Sequence, residues 1–332
     1  LLAFVDEGWL VGLAGNPEHP YNQGALCVFG SAALQMMYGP SRIRKPLRRL
    51  GNRGEGRWEE IPWEEALGIV TKALSRTKVK AEPKTGGLAV CVPTRGATPL
   101  VERFLAVHPQ GLLALSDAHE HSVERAAHRS FGPGFDGQPD LAKADQILNF
   151  GANPLGSIRR LVGSARQWAE GQARGVTWIT LDPRLSETAA ASSTWIPLRP
   201  GTDGVFALAL AHQILKTGWE DRAFLESATD VDRDTLWEAL APWTPGKAGS
   251  LCQVPAERIR WTAESFATAD RPVAIFGSGV TARREGLEDA QAVLLLNFLV
   301  GNIGKGGGYR PPGRMDWRQP APMSLGDRES LA

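Results

Sequence analysis

The chain has 332 residues, 42% of them hydrophobic and 22% charged, and a formal net charge of +1. That length suits two domains or one large discontinuous unit with ample material for a core. The charge leaves no electrostatic footprint for nucleic acid, and the longest apolar run, "AVLLLNFLV" (292–300), falls well short of the roughly 20 residues a membrane-spanning helix needs.

Residues 1–15 alternate and end in Gly, which predicts a β-hairpin turning at "DEG" (6–8). The chain opens on Leu1 without an initiator Met, so an N-terminal segment carrying any targeting signal is expected upstream. Residues 16–60, rich in Gly, Pro and Arg, read as an extended connector. Its basic run "RIRKPLRRL" (42–50) reads as a solvated face, with a docking strip for an acidic partner subunit as the alternative. "PWEEALGIVTKALSR" (62–76) begins a helix, with Pro near the start and acids in the first turn.

Strand and helix then alternate. "GGLAVCVPT" (86–94) predicts a short, fully buried strand and "ATPLVERFLAV" (97–107) a helix. Further strands are expected in "ADQILNFGANP" (144–154), "VTWITLDPR" (176–184), "WIPLRPGTD" (195–203) and "RPVAIFGSG" (271–279). Helices are expected in 157–175, 203–218 and 286–304. Short apolar strands separated by helices mean an α/β fold with parallel sheets covered on both faces.

Ligands of open parallel sheets lie against the loops at the carboxyl ends of the strands. Four strands here end in small or acidic residues: "GANP" (151–154), "DPR" (182–184), "RPGTD" (199–203) and "GSG" (277–279). Any one such loop is explained by turn chemistry; four in one sheet point to a large ligand bearing several phosphates. A loop carboxylate such as Asp182 or Asp203 could accept from ribose hydroxyls or a guanine edge. A nicotinamide-type dinucleotide enzyme fails for want of GxGxxG opening the first helix, and no Walker loop or Ser/His/Asp context supports a hydrolase.

Cys27, Cys91 and Cys252 form no CxxC, so neither a disulfide framework nor a complete metal or cluster site follows from this chain alone. Cys91 and Cys252 read as packing residues.

The stretches "GNPEHPYNQGALC" (15–27), "YGPSRIRKPLRR" (38–49), "GRWEEIPWEEAL" (56–67), "ADQILNFGANP" (144–154), "LDPRLSETAAASSTWIPLRPGTDGVFALALAHQIL" (181–215) and "LLNFLVGNIGKGGG" (295–308) together resemble the molybdopterin oxidoreductases of the dimethyl sulfoxide reductase superfamily. The resemblance implies two interleaved parallel-sheet domains after a small β remnant of an iron–sulfur domain. Its divisions would be 1–57, a discontinuous α/β domain of 58–115 plus 268–332, and a central dinucleotide-binding domain, 116–267.

It also implies a bis-molybdopterin guanine dinucleotide cofactor with molybdenum or tungsten. Gly151, Asn153, Asp182, Arg184, Gly201 and Asp203 would hold one dinucleotide, and Gly277 and Gly279 would face the second. Cys27 would be the fourth thiolate of a 4Fe-4S cluster whose other ligands lie upstream, or a relic where the cluster has been lost. Expected partners are an iron–sulfur electron-transfer subunit and a membrane-anchor or cytochrome subunit, at a periplasmic or membrane-associated location.

Two departures bear on chemistry. Phe29 stands where the family often has a Lys relaying electrons between cluster and pterin. The metal-ligand region, about a dozen residues before "SFG" (130–132), reads "SDAHEHSVERAAH" (116–128) with no cysteine; Ser116, Asp117 and Ser122 are its candidate oxygen ligands, and Asp117 and His119 are the catalytic candidates. Two functions therefore stand: a respiratory oxidoreductase subunit, or a non-catalytic molybdopterin-like subunit of a quinone-linked complex that holds no cofactor.

Overall fold

The computed structural model describes residues 1–19, 22–79, 88–92, 98–108, 111–115, 118–132, 138–156 and 161–310. It divides into two compact units, Leu1–Ala118 and His119–Ala332.

The first unit opens with the expected hairpin. Strands β1 (Leu2–Asp6) and β2 (Trp9–Ala14) pair antiparallel. Glu7 and Gly8 both take positive φ, 46° and 82°, as a tight two-residue hairpin turn requires. The stretch expected to be extended holds more structure than its composition suggests: helix α1 (Val28–Tyr38) and a second hairpin, β3 (Leu47–Leu50) with β4 (Arg57–Glu60). The hairpin neutralises much of its own basic run. Arg48 bonds Glu59 and Glu65, and Lys45 pairs with Glu60 at 3.0 Å. That leaves the solvated-face reading the better supported.

Helix α2 (Trp63–Val79) starts beside Pro62, with Glu64 and Glu65 in its first turn. Strand β5 (Ala89–Val92), helix α3 (Thr98–Ala106) and strand β6 (Leu112–Leu115) follow, with β5 and β6 parallel. One expectation fails here. β5 is not fully buried, and Cys91 is exposed, because among the described residues its sheet has two strands and is left partly open.

The second unit begins with helix α4 (Ala118–Phe131) and the short strand β7 (Gln138–Pro139). Strand β8 (Gln146–Phe150), helix α5 (Leu161–Ala173), strand β9 (Thr177–Leu181), helix α6 (Glu187–Ala191) and strand β10 (Thr194–Ile196) come next. Helix α7 (Asp203–Thr217) ends at Gly218, which takes φ +73° and donates to the Ile214 and Leu215 carbonyls, the left-handed cap that only glycine adopts without strain. Residues 219–270, to which the sequence assigned little, carry helices α8 (Arg222–Ala228), α9 (Arg233–Leu240), α10 (Pro245–Cys252) and α11 (Ala256–Ala267). Strand β11 (Pro272–Phe276), helix α12 (Ser278–Thr281), helix α13 (Gly286–Leu299) and strand β12 (Tyr309–Arg310) complete it.

The sheet is parallel throughout, in the order β10-β9-β8-β11. All five residues of β8 are buried, as a central strand covered on both faces must be. Ile147, Leu148, Phe150, Leu210, Leu215 and Leu296 are at most 1% exposed. Helices α7 and α13 pack on each other, and α13 packs on β11. Asn297 of α13 reaches the β11 backbone, accepting from Ala274 N–H at 2.8 Å and donating to its carbonyl at 2.9 Å.

Strand β11, expected to return to the 58–115 stretch, pairs along its whole length with β8, Pro272 against Gln146 through Phe276 against Phe150. Its apolar residues require cover, and α13 and α11 pack on it. Cys252 is fully buried, as expected of a packing residue.

Candidate functional site

Parallel pairing brings the carboxyl ends of β8, β9, β10 and β11 to one edge of the sheet. The four turns singled out in the sequence leave from that edge. Gly151 N–H donates to the Leu181 carbonyl at 2.8 Å, and Gly277 N–H to the Phe150 carbonyl at 2.9 Å, so the β8 turn is tied to both neighbours. A Cβ at Gly277 would lie 2.5 Å from the Gly151 carbonyl oxygen and 2.6 Å from Ala152 Cα. Gly277 is therefore required for close approach of two backbones.

Beneath the turns runs a polar ladder. Asn149 Nδ2 donates to the Ala152 carbonyl at 2.8 Å and to Thr180 Oγ1 at 3.3 Å, while its Oδ1 accepts from Ala152 N–H. Thr180 Oγ1 lies 2.6 Å from Ser192 Oγ, which donates to the Thr188 carbonyl. These bonds hold the strand tips and α6 as one piece.

Asn153 and Asp182 are occupied in holding the turns. Asn153 Oδ1 accepts from Thr188 Oγ1 at 2.7 Å, and its Nδ2 donates to Glu187 Oε2 at 2.8 Å. That bond holds the exposed Glu187 carboxyl below the usual range. Asp182 is 8% exposed; it accepts from Arg184 N–H at 2.8 Å and from Ser186 Oγ at 3.0 Å. Both are thus positioning groups in this arrangement. Arg184 is exposed.

Asp203 differs. It begins α7, is 9% exposed, and burial pushes its carboxyl up to about 6; its own backbone N–H opposes the shift, and the Asp289 charge adds to it. Asp289, on α13, is likewise raised by burial. Gly201 takes φ +79°, and a Cβ there would collide with the guanidinium of Arg283. A Cβ at Gly204 would collide with Asp289 Oδ1. The N-termini of α7 and α13 therefore meet beside the "RPGTD" and "GSG" turns.

At Gly151 and Gly279 an added Cβ would meet nothing within 4 Å. Gly151 needs glycine for its φ of +61°. Gly279 has no such need, and glycine in a helical turn costs about 1 kcal/mol relative to alanine. Bare backbone facing open space suits a closely approaching ligand.

The other candidates are less informative. Asp117 lies outside the described residues, and His119 falls in α4. Among the described residues, no group of three or more His, Cys, Asp or Glu could hold a metal ion. Cys27 is a partly exposed free thiol at the N-cap of α1, making no capping bond, and Phe29 is exposed. A cavity of about 950 Å³ lies elsewhere in the unit, lined by Leu208, Leu225, Leu236, Leu295 and Phe298, and takes in none of the strand-tip residues.

Sequence reasoning missed Asn149, Thr188, Arg283 and Asp289. A polar residue in the middle of an apolar strand could have flagged Asn149; nothing near Arg283 in the sequence announces that it meets a turn from the opposite edge of the sheet.

An α/β unit whose parallel strands present glycine and acid turns along one edge places those turns where open α/β sheets receive ligands. Residues 42–312 match the molybdopterin oxidoreductase family, and the chain belongs to it. It is 28% identical over 311 residues to the menaquinone reductase molybdopterin-binding-like subunit of Nitratidesulfovibrio vulgaris, covering 92% of this chain and 42% of that protein. It is 27% identical over 301 residues to the thiosulfate reductase molybdopterin-containing subunit of Salmonella typhimurium, covering 89% and 38%. Acetylene hydratase from Pelobacter acetylenicus shares the fold, with a TM-score of 0.75 at 22% identity over 87% of this chain and 40% of that one. The chain thus spans about two-fifths of the length of these relatives. Family membership implies a molybdenum or tungsten pterin cofactor. No helix among the described residues is long and apolar enough to cross a membrane.

Proposed function

We propose that this chain is the nucleotide-holding part of a molybdopterin oxidoreductase subunit working in respiratory electron transfer. It would bind the guanine dinucleotide arms of a bis-molybdopterin guanine dinucleotide cofactor along the tips of β8–β11. One observation carries the reading: four turns leave one edge of a parallel sheet, backbone bonds tie the β8 turn to β9 and the β11 turn to β8, and two of the turns leave glycine backbone bare to open space. When bound, the cofactor supplies two-electron chemistry at its metal.

The chain's own residues bind and orient. Gly151 and Gly279 leave backbone bare for close approach, Gly277 lets its turn pack on the β8 turn, and Asn153 and Asp182 hold their turns in shape. Arg184, with its exposed guanidinium, is placed to meet phosphate. Gly201 lets the third turn fold back, and the carboxylate of Asp203 accepts from the guanine edge. Since Asp203 titrates near 6, a guanine nucleotide should bind well above that pH and weaken below it.

The metal-ligand role falls to Asp117 or His119. Cys27 would join a 4Fe-4S cluster only with thiolates from upstream. An iron–sulfur electron-transfer subunit and a membrane-anchor or cytochrome subunit would accept or deliver electrons, at a periplasmic or membrane-associated site.

A second reading, a molybdopterin-like structural subunit without cofactor, draws on the internal engagement of Asn153 and Asp182 and on the exposed Phe29. Metal analysis together with a guanine assay after acid release decides between them. Molybdenum or tungsten with about two guanine equivalents per protein supports the first; protein purified without either supports the second.

A further inference from the structure

We infer that Arg283 is the residue through which the strand-tip site distinguishes a nucleoside diphosphate arm from a monophosphate. The inference rests on the reading above. Arg283 follows α12 on the β11 side of the sheet, yet its guanidinium covers the face of Gly201 in the turn after β10, the opposite edge strand. One cation therefore reaches between the two outermost turns of the site.

The surroundings of that cation are acidic. The Asp289 and Asp182 charges both push the Asp203 carboxyl up, while the Arg283 charge pulls Asp203 and Asp289 down, so a ligand bearing two phosphates depends on that one positive group. Arg283 has donors to offer. Its contacts are long, 3.4 Å to Glu285 Oε2 and 3.7 Å to Asp289 Oδ2, and that Asp289 oxygen receives no hydrogen bond despite being buried. By contrast, Arg271 meets Asp145 through two bonds of 2.6 and 2.8 Å. A guanidinium carries five N–H donors in a planar fork suited to paired phosphate oxygens. The Arg283 fork is unsaturated and only a third exposed, where a charge-assisted bond is worth more than at an open surface.

Arg283 thus acts on the phosphates while Asp203 acts on the base, and the two effects separate experimentally. The test is calorimetric titration of the full chain at pH 8 with guanosine monophosphate and guanosine diphosphate as probes, using wild type, Arg283→Ala and Arg283→Lys. Wild type should bind the diphosphate about tenfold more tightly than the monophosphate. Arg283→Ala should erase that preference while leaving monophosphate affinity within about twofold, and Arg283→Lys should restore part of it. Monophosphate binding with an undiminished diphosphate preference in Arg283→Ala overturns the role of Arg283 alone. Failure of wild type to bind either nucleotide overturns the strand-tip reading, and the inference with it. Equal melting temperatures of the three proteins confirm that the comparison is between folded chains.

Discussion

The two units put similar sequence to different use. β5 and β8 are both short, apolar and parallel-paired, yet β8 is buried at every position while β5 is buried only at Val92. The difference lies in the cover. β8 has a strand on each side and helices on its faces; β5 has one partner strand among the described residues. The helices differ in the same way, since α1 buries no residue whereas α7 buries most of its length. Apolar patterning names a strand, but burial follows from the number of neighbours that arrive. The glycine and acid turns sit on the unit whose core is closed, where strand tips can be held in fixed register.

That contrast can be broken by mutation. The largest effect is expected at Phe150, fully buried and edge-on to Phe206 with centroids 6.3 Å apart. Phe150→Ala should cost about 3–5 kcal/mol in denaturant unfolding of the second unit; a loss below about 1 kcal/mol would mean the core is not closed there.

A smaller effect of opposite sign is expected at Asp203. Its folded-state carboxyl sits at about 6, above the ordinary aspartate value of 3.8. Its contribution to stability is therefore fully present below about pH 4 and is lost as pH rises through about 6. Asp203→Asn removes the buried charge and should raise stability by about 2 kcal/mol at pH 8, with little change at pH 4. A gain independent of pH would show that Asp203 is not buried as a charge.

The smallest effect belongs to the first unit. Val70 of α2 is 53% exposed, so Val70→Ala should shift unfolding by less than about 0.5 kcal/mol. A loss above about 2 kcal/mol would reveal a closed core around α2.

Much of the second unit was legible in the sequence because its signals are local. Apolar runs mark β8, β9 and β11, Gly218 stops α7, and the "GANP", "DPR", "RPGTD" and "GSG" turns follow their strands as expected. The pairing of β11 with β8 was not legible, since strand order is a long-range choice that periodicity does not encode. Nor was the engagement of Asn153 and Asp182 by Thr188, Glu187 and Ser186, which depends on α6 folding back over the tips. In the first unit, a stretch whose composition suggested only a connector holds the β3–β4 hairpin, where Arg48 pairs across the strands with Glu59 and reaches Glu65 of α2.

The central claim is that the four turns act as one binding edge, and hydrogen–deuterium exchange with and without guanosine diphosphate tests it most directly. Amides in 151–153, 182–184, 201–204 and 277–279 should slow together, with β1–β4 unchanged. Slowing confined to the α8–α9 cavity, or no slowing at these turns under saturating nucleotide, would contradict it.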